Sequence, residues 1–106
     1  MPFINLKDLE IKSLFPGFEG YFVHTDHMTL AYWTVEEGAS LSDHSHEPEQ
    51  VVNVIEGRFE LTIDGQSKIL DPGKVAVVPS NVIHSGKGIT SCKIIDVFYP
   101  VREDYK

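Results

Sequence analysis

Turn-forming residues set the tightest limit on how this chain can fold. Pro16-Gly17, Glu37-Gly38, Glu56-Gly57, Asp64-Gly65, Asp71-Pro72-Gly73 and Pro79-Ser80-Asn81 interrupt it, the starts 7–8 residues apart from Glu56 onward and 19–21 apart before it. Short strands fit between such breaks and long helices do not, so the spacing predicts an all-β sandwich or barrel. The runs between the breaks agree. Residues 32–35, 51–55, 59–63, 75–78 and 92–99 are rich in β-branched and aromatic side chains. Phe59, Leu61 and Ile63 alternate with Arg58, Glu60 and Thr62, which gives one apolar face and one wet one. Asp64-Gly65 then predicts a hairpin turn into a strand over 67–70. Nothing from residue 28 onward reads as a long helix. Before it, Leu6, Leu9 and Leu14 fit helical spacing loosely, and residues 6–15 are compatible with a short turn or with an exchanged edge strand.

A chain of 106 residues fits one domain, 1–106, long enough to bury a core without staples. Its single cysteine, Cys92, has no internal partner, and it reads as a small buried hydrophobe on a strand. The start, Met1-Pro2-Phe3-Ile4-Asn5, has no basic region leading into an apolar run, and no window approaches the ~20 apolar residues of a membrane span. The expectation is a cytoplasmic protein with no membrane partner. Nine Lys and Arg face sixteen Asp and Glu, a formal charge of −7, and no basic cluster exists to hold a phosphate backbone, so nucleic-acid binding is excluded as a reading. Arg58 and Arg102 are the only arginines, and any bidentate recognition of a carboxylate must use one of them.

The stretch from Gly38 to Gly57 carries the chemistry. His44, His46 and Gln50 share a parity, so on one extended strand their side chains would leave the same face. Two imidazoles two residues apart can meet at one ion, and a further ligand is expected downstream, with His84 the candidate. Glu49 has the opposite parity and should point away. An imidazole-rich set suits one divalent transition metal, Zn, Ni, Fe, Co or Mn, without choosing among them. His24 and His27 lie before this stretch and read as surface or hydrogen-bonded groups. Tyr32, Trp33, Phe59 and Phe98 read mostly as core, with lining a pocket open to some of them.

These residues together resemble the cupin family. Its first motif, Gly, five residues, His-x-His, three or four residues, Glu, six residues, Gly, is matched by Gly38, His44, His46, Gln50 and Gly57, with Gln50 in the place of Glu. Its second motif is matched by Gly73, Pro79 and His84, with Asn81 where the family has Gly and Gly88 where it has Asn; both replacements are expected at loop positions that tolerate a left-handed backbone. The resemblance covers roughly residues 28–102 and implies a cupin double-stranded β-helix, a jelly-roll β-barrel, with a metal held by His44, His46, Gln50 and His84. Gln50 is neutral where Glu would be anionic, so a bound cation would keep its whole charge.

The ending Asp96-Val97-Phe98-Tyr99-Pro100-Val101-Arg102-Glu103-Asp104-Tyr105 is similar to that of the small cupins of the pectin-degradation KdgF type. What the resemblance implies is an isomerase-type metalloenzyme of carbohydrate metabolism. It would convert 4,5-unsaturated uronates from pectin or alginate breakdown into linear keto forms. Asp96 would be the general acid/base, Phe98 a stacking surface, and Arg102 the partner of the substrate carboxylate. Asp96 and Phe98 share a strand face and can project together, with Arg102 folding back after Pro100. The plainer alternative is a closing strand with a salt-bridged arginine. Two other functions stay open: a mononuclear metal dioxygenase of small organic substrates, and a non-catalytic sugar- or ligand-binding module. The family resemblance also implies a homodimer, with residues 1–15 as an arm crossing to the partner.

Overall fold

The computed structural model describes residues 2–106, so Met1, the first residue of the expected arm, lies outside the described residues. Ten strands form: β1 (Lys12–Phe15), β2 (Phe18–His24), β3 (Thr29–Val35), β4 (Ser40–His44), β5 (Glu49–Glu56), β6 (Phe59–Ile63), β7 (Gln66–Leu70), β8 (Val75–Val78), β9 (His84–Gly88) and β10 (Cys92–Tyr99). The helical elements among the described residues are two single 3-10 turns, Leu6–Asp8 and Glu103–Tyr105. The strands pair antiparallel in two sheets, ordered β1-β2-β3-β10-β5-β8 and β4-β9-β6-β7. Crossovers between the sheets make a jelly roll, as expected. The two ladders do not join, so the barrel is a sandwich with open seams between the sheet edges.

Local chemistry explains the clearest elements. Asp64 (φ 48°) and Gly65 (φ 80°) are both left-handed, which gives the turn that matches strand twist and joins β6 to β7 in the predicted hairpin. In β10, Cys92, Ile94, Asp96 and Phe98 face inward and alternate with more exposed residues, and the strand lies between β3 and β5 at the centre of the larger sheet. Phe18, Trp33, Val52, Val54, Phe59 and Ile94 meet in one core that draws on both sheets. Phe18, Phe22 and Trp33 pack edge to face, with centroids 5.2–6.0 Å apart.

Two expectations need correction. His44, His46 and Gln50 do not share a strand: His44 ends β4, His46 lies in the link, and Gln50 belongs to β5 in the other sheet. Their common parity is therefore not what brings them together. Gly88 is not a left-handed loop residue but the last residue of β9, where an added Cβ would meet the Glu36 carbonyl oxygen at 3.0 Å; Asn81 does adopt the left-handed backbone, at φ 64°. In the 6–15 segment, the turn at Leu6–Asp8 is present, and Lys12–Phe15 pairs with β2 of its own chain.

Candidate metal centre

The site is assembled by strand ends. β4 and β9 pair so that His44 stands directly across from His84. His46 follows two residues later, turned inward against Phe98, with ring centroids 5.6 Å apart. One ring nitrogen from each of the three lies within 4.8 Å of the others.

The protonation of the three rings follows from their partners. Nδ1 of His44 is 2.7 Å from the Ser42 carbonyl, that of His46 is 2.7 Å from the Pro48 carbonyl, and that of His84 is 2.9 Å from the Val82 carbonyl. A carbonyl only accepts, so each Nδ1 carries the proton and donates it, which leaves the Nε2 lone pair free. Nε2 of both His46 and His84 is buried without any hydrogen-bond partner. Two orphaned lone pairs aimed at one point would be costly in a merely structural cluster, and they are the atoms a cation would satisfy. Burial also disfavours the imidazolium form. It pushes His84 down to about 4, with His44, His46 and Arg102 adding repulsion, and it lowers His46 as well. Neutral imidazoles with backbone-held Nδ1 fit a divalent transition metal, and the group can hold one.

Gln50 is buried and lines the same cavity, alongside Asp96. Glu49, its neighbour, is exposed, as its parity suggested. Asp96 projects inward from β10, and Trp33 Nε1–H donates to its Oδ2 at 3.0 Å. Burial drives the Asp96 carboxyl up to about 7, against the opposing pull of Gln50, Trp33 and Arg102. Gln50 is close enough to act on Asp96, yet no bond of ordinary geometry joins them, and Asp96 Oδ1 is left buried without a partner. Phe98 is 1% exposed and Arg102 7%. Burial works against the Arg102 charge, but the hydrogen bonds and charge of Asp104 outweigh it and hold the guanidinium pKa above its ordinary value.

A cavity of about 40 Å³ lies among His44, His46, Gln50, His84, Asp96 and Arg102. It shares His44, His46, Arg102 and Tyr105 with a wider recess of about 330 Å³. All seven residues singled out in the sequence therefore reach one cavity. Arg58 does not: it is exposed, and its backbone N–H donates to Thr90 Oγ1. His27 is exposed, and His24 Nδ1 pairs with Thr29 Oγ1 at 2.8 Å. Three residues escaped the sequence reading. The Trp33 sequence context suits core or pocket wall alike, and only its register opposite Ile94, two residues before Asp96 on the same strand face, aims its N–H at the carboxylate. Asp104 and Tyr105 sit in the tail motif without any spacing that marks them as facing the site.

An open jelly roll with three imidazoles and a buried carboxylate at one end of its core defines a class of small metal-site β-sandwiches. The chain belongs to the cupin domain family, whose profile matches residues 31–98. It is similar to the pectin degradation protein KdgF of Dickeya dadantii, at 32% identity over 74 residues. That alignment spans 65% of this chain and 64% of the relative's length. Among solved structures it is similar to an RmlC-like cupin from Shewanella frigidimarina, at 29% identity and a TM-score of 0.93 over 100% of this chain and 96% of that one. It is also similar to KdgF from Halomonas sp., at 26% identity and a TM-score of 0.92 over 100% and 99% of the two chains. Among the described residues no helix is long and apolar enough to cross a membrane.

Proposed function

We propose that the chain is a metal-dependent isomerase that opens a 4,5-unsaturated monouronate to its linear keto acid, acting as a homodimer. The observation that carries this reading is the convergence of Asp96, Phe98 and Arg102 on the cavity that holds the three imidazoles. The likeness to two KdgF proteins, one of them named for pectin degradation, supports the substrate class.

His44, His46 and His84 would hold the ion through Nε2, with Gln50 as the fourth ligand. When bound, the ion supplies Lewis-acid polarisation to a carboxylate or ring oxygen, undiminished by any anionic ligand. The inner cavity has room for little more than a water or a carboxylate, so the sugar ring occupies the wider recess and reaches inward with its polar edge. Arg102 receives the substrate carboxylate. Phe15, Leu41 and Tyr105 give the ring an apolar wall in that recess, and Phe98, on the inner cavity, meets only the edge that reaches inward.

Asp96 moves the proton. In the metal-free site burial lifts its pKa to about 7, and a cation in the same cavity would draw it down toward the ionised form that accepts a proton. It takes the proton of the anomeric hydroxyl, whose O–H electron pair forms the aldehyde C=O as the ring C–O bond breaks, and the pair of that broken bond passes to the ring oxygen, leaving an enolate. A proton then adds to the enolate carbon, and the oxygen becomes the keto group. No atom is gained or lost, and no oxidant is required.

Incubating metal-loaded protein with unsaturated galacturonate tests the reading: the ultraviolet absorbance of the conjugated double bond should fall faster than in buffer, and Asp96→Asn should abolish the acceleration. Absence of acceleration in the wild type removes the assignment. Consumption of O2 at an electrode would favour the dioxygenase reading instead, and tight ligand binding without turnover the binding-module reading.

A further inference from the structure

Arg102 is fixed at every level of its structure. Its backbone N–H donates to Thr29 Oγ1 at 2.9 Å, and its carbonyl accepts from Tyr105 N–H at 3.1 Å. Its guanidinium carbon lies 4.0 Å from the centre of the Tyr105 ring and 4.8 Å from that of Phe98. Finally, Nε donates to Asp104 Oδ1 at 2.9 Å and Nη2 to Asp104 Oδ2 at 2.8 Å.

A guanidinium has five N–H donors arranged along two usable edges. Asp104 takes the side-on edge, Nε with one hydrogen of Nη2. The Tyr105 phenol oxygen is close enough to act on the guanidinium, yet no bond of ordinary geometry joins them, and among the described residues only Asp104 accepts from this side chain, so the terminal edge, Nη1 with the second hydrogen of Nη2, is left over. Arg102 lines both the inner cavity and the wider recess.

We propose that Asp104 is a positioning residue: by holding the side-on edge of Arg102 it presents the terminal edge to the carboxylate of a small sugar acid, and so sets a preference for the acid over its ester. The proposal rests on the reading of Arg102 as the carboxylate partner. Two effects of Asp104 oppose each other, and their sizes decide the outcome. Its negative charge competes with an incoming anion, but its side chain is 63% exposed, so water screens much of that competition. The Arg102 side chain is only 8% exposed, and an unclamped arginine would have to give up its rotamer freedom on binding. Orientation therefore outweighs competition.

The test is a calorimetric titration of metal-loaded full-length protein with galacturonate, which has no double bond to react, and with its methyl ester. Wild type should bind the acid at least about tenfold tighter than the ester. Asp104→Ala should weaken the acid about tenfold and leave the ester unchanged, and Asp104→Glu should recover most of the loss. A Tm close to wild type establishes that each variant is folded. Unchanged or tighter acid binding in Asp104→Ala overturns the proposal, as does an equal loss for acid and ester. Arg102→Ala separates the two levels. If it abolishes the acid preference while Asp104→Ala does not, only the role of Asp104 falls; if it keeps the preference, or wild type has none, the role of Arg102 falls as well.

Discussion

Each imidazole of the site donates its Nδ1 proton to a carbonyl two residues away, and this local geometry decides which nitrogen can bind a cation. Replacing His84 by Ala is therefore expected to leave protein that loses its metal on dialysis, whereas Glu49→Ala, on an exposed side chain, keeps the wild-type metal content by elemental analysis. Asp96 makes a second expectation at this scale. An unfolded aspartate titrates near ~3.9, the native one near 7. As pH rises through this window the unfolded state loses its proton first, so the native state holds more protons and stability falls. The contribution is fully present below about pH 4 and is lost as pH passes about 7. For the metal-free protein the stability gap between wild type and Asp96→Asn should shift by roughly 4 kcal/mol between those limits, read from urea unfolding at each pH. A gap that does not move with pH would show that the carboxyl is not held protonated. Spacing in the sequence exposed the imidazoles, whereas Asp96, Phe98 and Arg102 came only through the resemblance of the tail to that of KdgF-type cupins. Spacing gave Gln50 for the wrong local reason, since β5 of the opposite sheet brings it in. Trp33 and Asp104 act through contacts 63 and 2 residues apart respectively, the first invisible to any local pattern and the second indistinguishable from an ordinary surface acid.

At the scale of the strand, β10 is largely apolar on both faces, with Asp96 inward and Lys93 outward as its charged exceptions. Val97 stands between Leu30 of β3 and Val51 of β5, and the same row continues to Val23 of β2 and Val77 of β8. An apolar row across five strands on the outer face of a sheet is the kind of surface a second copy covers. The homodimer proposed above is expected to use it, so wild type should sediment at twice 11.9 kDa, and Val97→Lys should sediment as a monomer. A wild type at the monomer mass would remove the dimer. In the smaller sheet, Gly86 of β9 allows Phe59 to lie directly against its backbone, and an added Cβ would collide with the ring. Gly86→Ala should cost about 1–3 kcal/mol in denaturant unfolding. Strands rich in Val, Ile and Phe were legible in order and nearly in extent. β9 was not, because His84-Ser85-Gly86-Lys87-Gly88 has little intrinsic strand preference and is drawn into place by β4 and β6 on either side. β2 also escaped, its Glu19, Gly20 and closing His24 hiding a run that packs Phe18 and Phe22 inward.

For the molecule as a whole, the two-sheet plan was legible from turn spacing, while the path that folds the C-terminal turn back over the site was not. That path depends on Lys12 Nζ reaching the Tyr105 carbonyl at 3.2 Å and on Thr29 holding Arg102, contacts between chain ends that no periodicity encodes. The ligand set has a further consequence for the fold. His44 and His84 stand on one sheet, Gln50 on the other, and His46 on the link between them. An ion held by all four is a rivet through two layers that otherwise touch only by side-chain packing and by their connecting loops. A rivet set after the layers meet acts on their separation and not on their meeting. Loading the metal should therefore slow unfolding strongly while leaving the refolding rate nearly unchanged.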